Sequence, residues 1–329
     1  MSRILVTGGA GFIGHHFVEH VLRNSDHELV LLDRLDTSGN INRLVEVSNW
    51  DVHKRRVKFH YHDLRAELNE QLIQQIGNVD IIVHMAAATH VDRSITDPMD
   101  FVYNNVVATA NILEYARKLP RLSKMVYFST DEVFGPAPAG VAYKEWDRYN
   151  SGNPYSATKA GGEELCLAYH NTYGTPVMVT HTMNVIGERQ HPEKYVPKTI
   201  NNISKSRLVT IHADKTRTIP GSRFYIHARN VANAVMFLLN EGTPGDKYNI
   251  VGEKEIDNLT LARAIAAVQN KILNYELVDF HGSRPGHDLR YALNGDKMKD
   301  MGWVPPVDFD TSLERVVKWT LDNPRWLLG

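Results

Sequence analysis

The 329-residue chain has one cysteine, Cys166, no apolar run long enough to cross a membrane, and no excess of charge of either sign. A lone cysteine can close no internal disulfide and has no companion ligands for a zinc site, which suits a reducing compartment. Cys166 reads as a small apolar residue on a helix. Lysine plus arginine number 37 and aspartate plus glutamate 38, for a formal net charge of -1. That balance leaves no overall positive field to hold a nucleic acid or an anionic membrane surface. The opening MSRILVTGG breaks its apolar run with glycines, far short of a signal-peptide core. The expectation is a cytoplasmic protein. No internal repeat, low-complexity tract or long linker occurs.

Short β-branched runs alternate with longer amphipathic stretches, in a chain that is 43% hydrophobic and 23% charged, as a globular protein requires. Ile4-Leu5-Val6, Leu29-Val30-Leu31-Leu32, Ile81-Ile82-Val83, Met125 to Phe128 and Val177-Met178-Val179 are apolar at every position and separated by helical patterns. Such strands belong to a parallel sheet covered by helices on both sides. After Asn184 the composition shifts toward Lys, His, Pro and Gly, reading as loops around a short helix, Thr199 to Lys205. A helix from Asn230 to Asn240 and a strand near Lys247 to Val251 return to the sheet. The tail from Leu259 reads as helical with another loop, HGSRPGHDLRYAL. The expected fold is α/β: a Rossmann-type doubly wound parallel sheet from residues 1–184 and about 224–252. A smaller, mixed C-terminal substrate-binding domain takes about 185–223 and 253–329.

Gly8-Gly9-Ala10-Gly11-Phe12-Ile13-Gly14 follows the first predicted strand and opens a helix. Glycines at 8, 11 and 14 permit a tight turn, close approach of the backbone to a pyrophosphate, and tight packing of helix on strand. Asp33 ends the second apolar run about twenty residues on, where an acid binds the adenosine ribose hydroxyls. A carboxylate there repels a 2′-phosphate, so the expected cofactor is NAD, although Arg34 beside it blurs the choice. Asp63, Leu64, Ala86 and Ala87 stand at further carboxyl ends of strands, where such sheets bind ligands.

FSTDEVFG, from Phe128 to Gly135, sets two acids directly behind an apolar strand. Further on, Tyr155 and Lys159 lie four residues apart behind Pro154, a residue suited to a helix start, and so share one helical face. An ammonium near a phenol favours the phenolate, which lets the tyrosine take a proton from a hydroxyl.

With the glycine turn and Asp33, these features resemble the extended short-chain dehydrogenase/reductase superfamily across essentially the whole chain. Within it the chain looks most like the nucleoside-diphosphate-sugar 4,6-dehydratases, especially those acting on dTDP-glucose. The motifs are Thr89-His90-Val91-Asp92-Arg93-Ser94-Ile95, Ser129-Thr130-Asp131-Glu132-Val133-Phe134-Gly135, Pro154-Tyr155-Ser156-Ala157-Thr158-Lys159-Ala160, His191-Pro192-Glu193-Lys194 and Arg284-Pro285-Gly286-His287-Asp288.

The resemblance implies that Tyr155 takes the C4 hydroxyl proton while a hydride passes to NAD, with Thr130 on the C4 oxygen and Lys159 on the nicotinamide ribose. Glu132 is then the base at C5 and Asp131 the acid at the C6 oxygen. It adds Phe12, Ile13 and Asn104 to the cofactor site. Around a nucleoside-diphosphate sugar it places Thr89, Asn184, Glu193, Lys194, His212, Arg223, Asn258, Arg284 and His287, with arginine suited to bidentate contact with pyrophosphate. It also implies a tightly held, recycled NAD, no metal, and a homodimer through the stretches Met99 to Lys118 and Tyr155 to Tyr173.

The chain departs from that pattern in places. KTRTIPGS before Arg223 is longer, the segment from Gly135 to Tyr155 is shorter, His212 replaces a usual tyrosine near the base, and Val185 replaces a second asparagine. dTDP, UDP and CDP sugars all fit. A sugar-nucleotide 4-epimerase or uronate decarboxylase shares the glycine turn, Tyr155 and Lys159 but needs no acid at a C6 oxygen, so Asp131 discriminates. A non-catalytic NAD-binding protein would not need the full set of acids and Tyr155.

Overall fold

The computed structural model describes residues 1–36, 38–279 and 289–328. Its strands in chain order are β1 (Arg3–Thr7), β2 (Glu28–Asp33), β3 (Val57–Tyr61), β4 (Ile81–His84), β5 (Lys124–Thr130), β6 (Val177–Thr182), β7 (Asn184–Ile186), β8 (Val209–Ala213), β9 (Ser222–His227), β10 (Lys247–Ile250), β11 (Glu255–Asp257) and β12 (Tyr275–Asp279). The principal sheet runs β10-β6-β5-β4-β1-β2-β3, and every pairing in it is parallel.

The continuous apolar runs are explained by burial on both faces. Successive side chains of a strand point to opposite sides. Ile4, Val6, Leu29 and Leu31 therefore join one core with Phe17, Val18 and Val21 of the Phe12–Asn24 helix and Val231 and Val235 of the Ala228–Glu241 helix. Leu5, Val30 and Leu32 face the other way, toward Ile112 and Leu113 of the Ala108–Ala116 helix and toward Cys166. Cys166 is a free, buried thiol on the Pro154–Tyr173 helix, as its apolar surroundings led one to expect.

The strand order reverses between β1 and β4, which opens a crevice at their carboxyl ends. Beside this crevice stands a second lobe. It has the sheet β11-β9-β7, the parallel pair β12-β8, and a separate core of Val196, Ile200, Ile211, Leu261, Ile265, Leu313 and Val317.

Two local expectations are corrected. The short helix begins earlier, at Tyr195–Ser204, because Pro197 falls in its first turn, where a missing N–H costs nothing. The tail is not wholly helical, since β12 pairs in register with β8, Tyr275 against Val209. Among the described residues, no helix is long and apolar enough to cross a membrane.

Candidate active site

A cavity of about 650 Å³ follows the carboxyl ends of the sheet. At one end lies the glycine turn. Gly8 has φ +71°, and a β-carbon there would sit 2.8 Å from the Ala86 nitrogen. A β-carbon on Gly14 would stand 2.1 Å from the Gly8 carbonyl oxygen, so the helix approaches the turn this closely only because position 14 carries no side chain. The Phe12–Asn24 helix has Gly11 as its N-cap, no side-chain cap and no acid in its first turn. Its leading N–H groups and partial positive charge face the cavity, which suits a pyrophosphate.

Asp33 is held at the tip of β2 by the amides of Ala10 (3.0 Å) and Leu35 (2.9 Å). Burial raises its pKa, and those two hydrogen bonds pull the other way. Arg34 is tied to Asp36, with Asp63 3.5 Å away. It is therefore already neutralised by carboxylates, and the residues present fit the unphosphorylated ribose of NAD.

The other end holds the acids. β5 stops at Thr130, and the chain turns tightly over Asp131–Phe134. The Thr130 hydroxyl donates to Asp131 Oδ1 at 3.0 Å. Asp131 Oδ2 is sealed from solvent with no hydrogen-bond partner among the described residues. Asn153 Nδ2 donates to Glu132 Oε2 at 3.2 Å. Asn153 also forms the capping box of the Pro154–Tyr173 helix with Ser156, so one residue fixes both the helix start and the acid.

Burial pushes the Asp131 carboxyl up to about 6, with the Arg223 charge the main opposing influence. Burial pushes Glu132 up to about 7, helped by the neighbouring Asp131 charge. Two close carboxyls in a dry site thus share one proton near neutral pH.

Tyr155 and Lys159 occupy one face of the capped helix and line the cavity. Burial raises the Tyr155 pKa, and the charges of Glu132 and Asp131 raise it further, while a hydrogen bond with Thr130 lowers it. The expected lowering by Lys159 is not seen. Lys159 Nζ instead lies over the Tyr127 ring, 4.3 Å from its centroid. Burial lowers Lys159 to about 8, and Glu163 counteracts this.

Glu163, 0% exposed, sits one helical turn beyond Lys159. It accepts hydrogen bonds from Ser129 and Tyr149 and contacts His181 Nε2 at 3.0 Å. Burial alone would raise its pKa; His181, Ser129 and Tyr149 outweigh that and hold it ionised. This buried anion braces Ser129, the residue before Thr130. Its spacing from Lys159 was readable in the sequence, but nothing there showed which partners would gather around it.

Of the residues singled out from sequence, all those of the cofactor set line the cavity: Gly8, Gly11, Phe12, Ile13, Gly14, Asp33, Arg34, Asp63, Leu64, Ala86, Ala87, Asn104, Tyr155 and Lys159. Thr130, Asp131, Glu132, Thr89, Asn184, Glu193 and Lys194 line it as well. Glu193 is bonded by Arg93 at 3.0 Å, which ties the 191–194 loop to the Val91–Thr96 helix across the cavity mouth.

Three of the substrate candidates do not reach the lining. His212 is in β8. Asn258 starts the Asn258–Val268 helix and accepts from Tyr225 (2.7 Å) and Tyr195 (2.6 Å). Arg223 lies over the Tyr291 ring and donates to the carbonyls of Ser222 and Leu289, within electrostatic reach of Asp131 and Glu132. Arg284 and His287 lie outside the described residues. Among the described residues, no group of three His, Cys, Asp or Glu side chains is placed to hold a metal ion.

One cavity thus reaches from a dinucleotide turn to acid and base groups held dry, the layout of an NAD-dependent enzyme of the extended short-chain dehydrogenase/reductase fold. Residues 5–316 match the GDP-mannose 4,6 dehydratase family, and the chain belongs to that family. It is 34% identical to a dTDP-glucose 4,6-dehydratase of Escherichia coli, an alignment covering 98% of this chain and 95% of the relative. It is 36% identical to a trifunctional UDP-glucose 4,6-dehydratase/UDP-4-keto-6-deoxy-D-glucose 3,5-epimerase/UDP-4-keto-L-rhamnose-reductase of Arabidopsis thaliana, covering 99% of this chain and 48% of that longer protein. Among solved structures, the dTDP-glucose 4,6-dehydratase DesIV of Streptomyces venezuelae, determined with NAD bound, matches with a TM-score of 0.89 at 34% identity, covering 99% of both chains.

Proposed function

We propose that the protein is a hydro-lyase that converts a nucleoside-diphosphate hexose into its 4-keto-6-deoxy form with NAD as a recycled cofactor. The observation that carries this reading is the pair of Asp131, buried, and Glu132, half-buried, beside Tyr155, since water loss needs both an acid and a base at that place. NAD, when bound, accepts the hydride from C4 and later returns it to C6. Tyr155 takes the C4 hydroxyl proton, and Thr130 hydrogen-bonds the C4 oxygen. The C4 ketone acidifies the C5 hydrogen, which Glu132 removes as Asp131 protonates the departing C6 hydroxyl, and Glu132 gives the proton back to C5 as the hydride reaches C6. Lys159 holds the nicotinamide ribose.

This sequence of steps needs the shared proton on Asp131 and Glu132 ionised at the moment of water loss. Burial raises both carboxyls and the Asp131 charge raises Glu132 further, while the Arg223 charge lowers both, so the pair holds one proton between them.

The test is incubation with dTDP-glucose, UDP-glucose and CDP-glucose, each followed by mass spectrometry. A product lighter by one water is expected from at least one of them. An epimerised sugar or a released pentose would sink the reading in favour of an epimerase or decarboxylase, and NAD binding without turnover of any nucleotide sugar would favour a non-catalytic protein.

The same reading assigns the cofactor to the lobe of residues 1–184 and about 224–252, and the sugar nucleotide to about 185–223 and 253–329. Largely separate hydrophobic cores support it, with Met298 and Trp303 of the C-terminal stretch packed in the first lobe's core and Tyr225 in the second's. It also makes the protein a cytoplasmic homodimer. Met99 (53% exposed) and Tyr103 (48% exposed) present apolar surface on consecutive helical turns within the stretch Met99 to Lys118, and Tyr173 does so at the end of the Pro154–Tyr173 helix. Sedimentation velocity on protein from the cytosolic fraction is expected to give a dimer, and to give a monomer for the Met99→Glu/Tyr103→Glu variant.

A further inference from the structure

Arg43 belongs to none of the sequence motifs, yet it lines the cavity beside the glycine turn while only 3% exposed. Its Nε donates to the Arg189 carbonyl at 3.0 Å. Its Nη1 donates to the carbonyls of Ala10, at 3.3 Å, and Ser38. Those carbonyls belong to the glycine turn, the stretch that follows β2, and the 187–191 segment beyond β7. The Trp326 ring lies 5.5 Å away on another side.

Every acceptor that Arg43 has among the described residues is a neutral carbonyl. Among the described residues it forms no ion pair with a carboxylate, and its Nη2 makes no hydrogen bond. A guanidinium removed from water without a counter-ion is costly. Accordingly, burial lowers Arg43 to about 10 even though the Asp33 charge works against the shift. The missing anion has a place to sit, because the uncapped helix N-terminus opens on the same cavity.

We propose that Arg43 is a cofactor-binding residue, with Nη2 as the donor that neutralises the pyrophosphate of the bound dinucleotide while the other nitrogens clasp three chain segments around it. This rests on the reading of the cavity as an NAD site. The clasp explains how the cofactor is retained between turnovers: the segments it joins cannot part without breaking a buried, charge-assisted bond.

The experiment is calorimetric titration of NAD, ADP and adenosine into cofactor-stripped, full-length protein, wild type and Arg43→Ala. Loss of a charge-assisted hydrogen bond is expected to weaken NAD and ADP alike by about ten- to a hundredfold. Adenosine, which carries no phosphate, is expected to bind both proteins equally, and Arg43→Lys is expected to recover part of the loss. Should Arg43→Ala fail to fold, Arg43→Gln, which keeps a donor but drops the charge, carries the same comparison. Unchanged ADP affinity, or adenosine falling in step with ADP, would leave Arg43 as a structural strap and overturn the inference. A wild-type protein that binds neither NAD nor ADP would instead overturn the cofactor assignment itself, and this inference with it.

Discussion

Tyr155→Phe is expected to suppress the first hydride transfer by about 10²–10⁴-fold while leaving NAD and nucleotide-sugar binding close to wild type. Phenylalanine keeps the ring that packs edge-on against Phe101, 6.3 Å between centroids, and removes only the hydroxyl proposed to take the C4 proton. Hydride cannot leave C4 unless that proton leaves too, so the loss falls on the earliest chemical step. Burial and the two acids make the Tyr155 phenol hard to ionise, and Lys159 is engaged over the Tyr127 ring. Stopped-flow detection of NADH in a single turnover checks the loss at this step. No transient is expected in Tyr155→Phe, and a transient of normal rate followed by failure to form product would move the role of Tyr155 to a later step.

The fold was legible in the sequence wherever burial on both faces wrote itself as an unbroken apolar run. β1, β2, β4, β5 and β6 are such strands. β12 was missed, because Tyr275, Glu276 and Asp279 leave no such run and its partner β8 lies far away in sequence. The helix at Tyr195 was started late because Pro197 looks like a loop residue until its place in the first turn is known. The site divides in the same way. Glycines, Asp33, Tyr155 and Lys159 act through local spacing, which a sequence displays. Arg43 meets the Arg189 carbonyl 146 residues away, Asn153 meets Glu132 at 21 and Glu163 meets Ser129 at 34, and no local pattern can record such meetings. Asp131 and Glu132 were visible as a pair, but the Arg223 charge that lowers both arrives from β9.

Asp131→Asn is expected to leave C4 oxidation intact and to slow water loss by about 10²–10⁴-fold, so that NADH accumulates instead of passing its hydride to C6. An amide fills the same space and can still accept the Thr130 hydrogen bond, but it has no acidic proton to give the C6 oxygen. The pH profile of water loss follows from the same pair. With carboxyls raised to about 6 and about 7, the singly protonated form prevails only between those values. Below them Glu132 is protonated and cannot act as the base; above them Asp131 is ionised and cannot act as the acid. The wild-type rate is therefore bell-shaped in a single-turnover assay of water loss. In Asp131→Asn the neighbouring charge that raises Glu132 is gone, so its pKa falls, the acid limb moves to lower pH and the alkaline limb contributed by Asp131 disappears. Rapid quench with mass spectrometry separates the outcomes: a 4-keto sugar that still carries its C6 oxygen supports the assignment, whereas equal loss of oxidation and elimination would show that Asp131 only shapes the site.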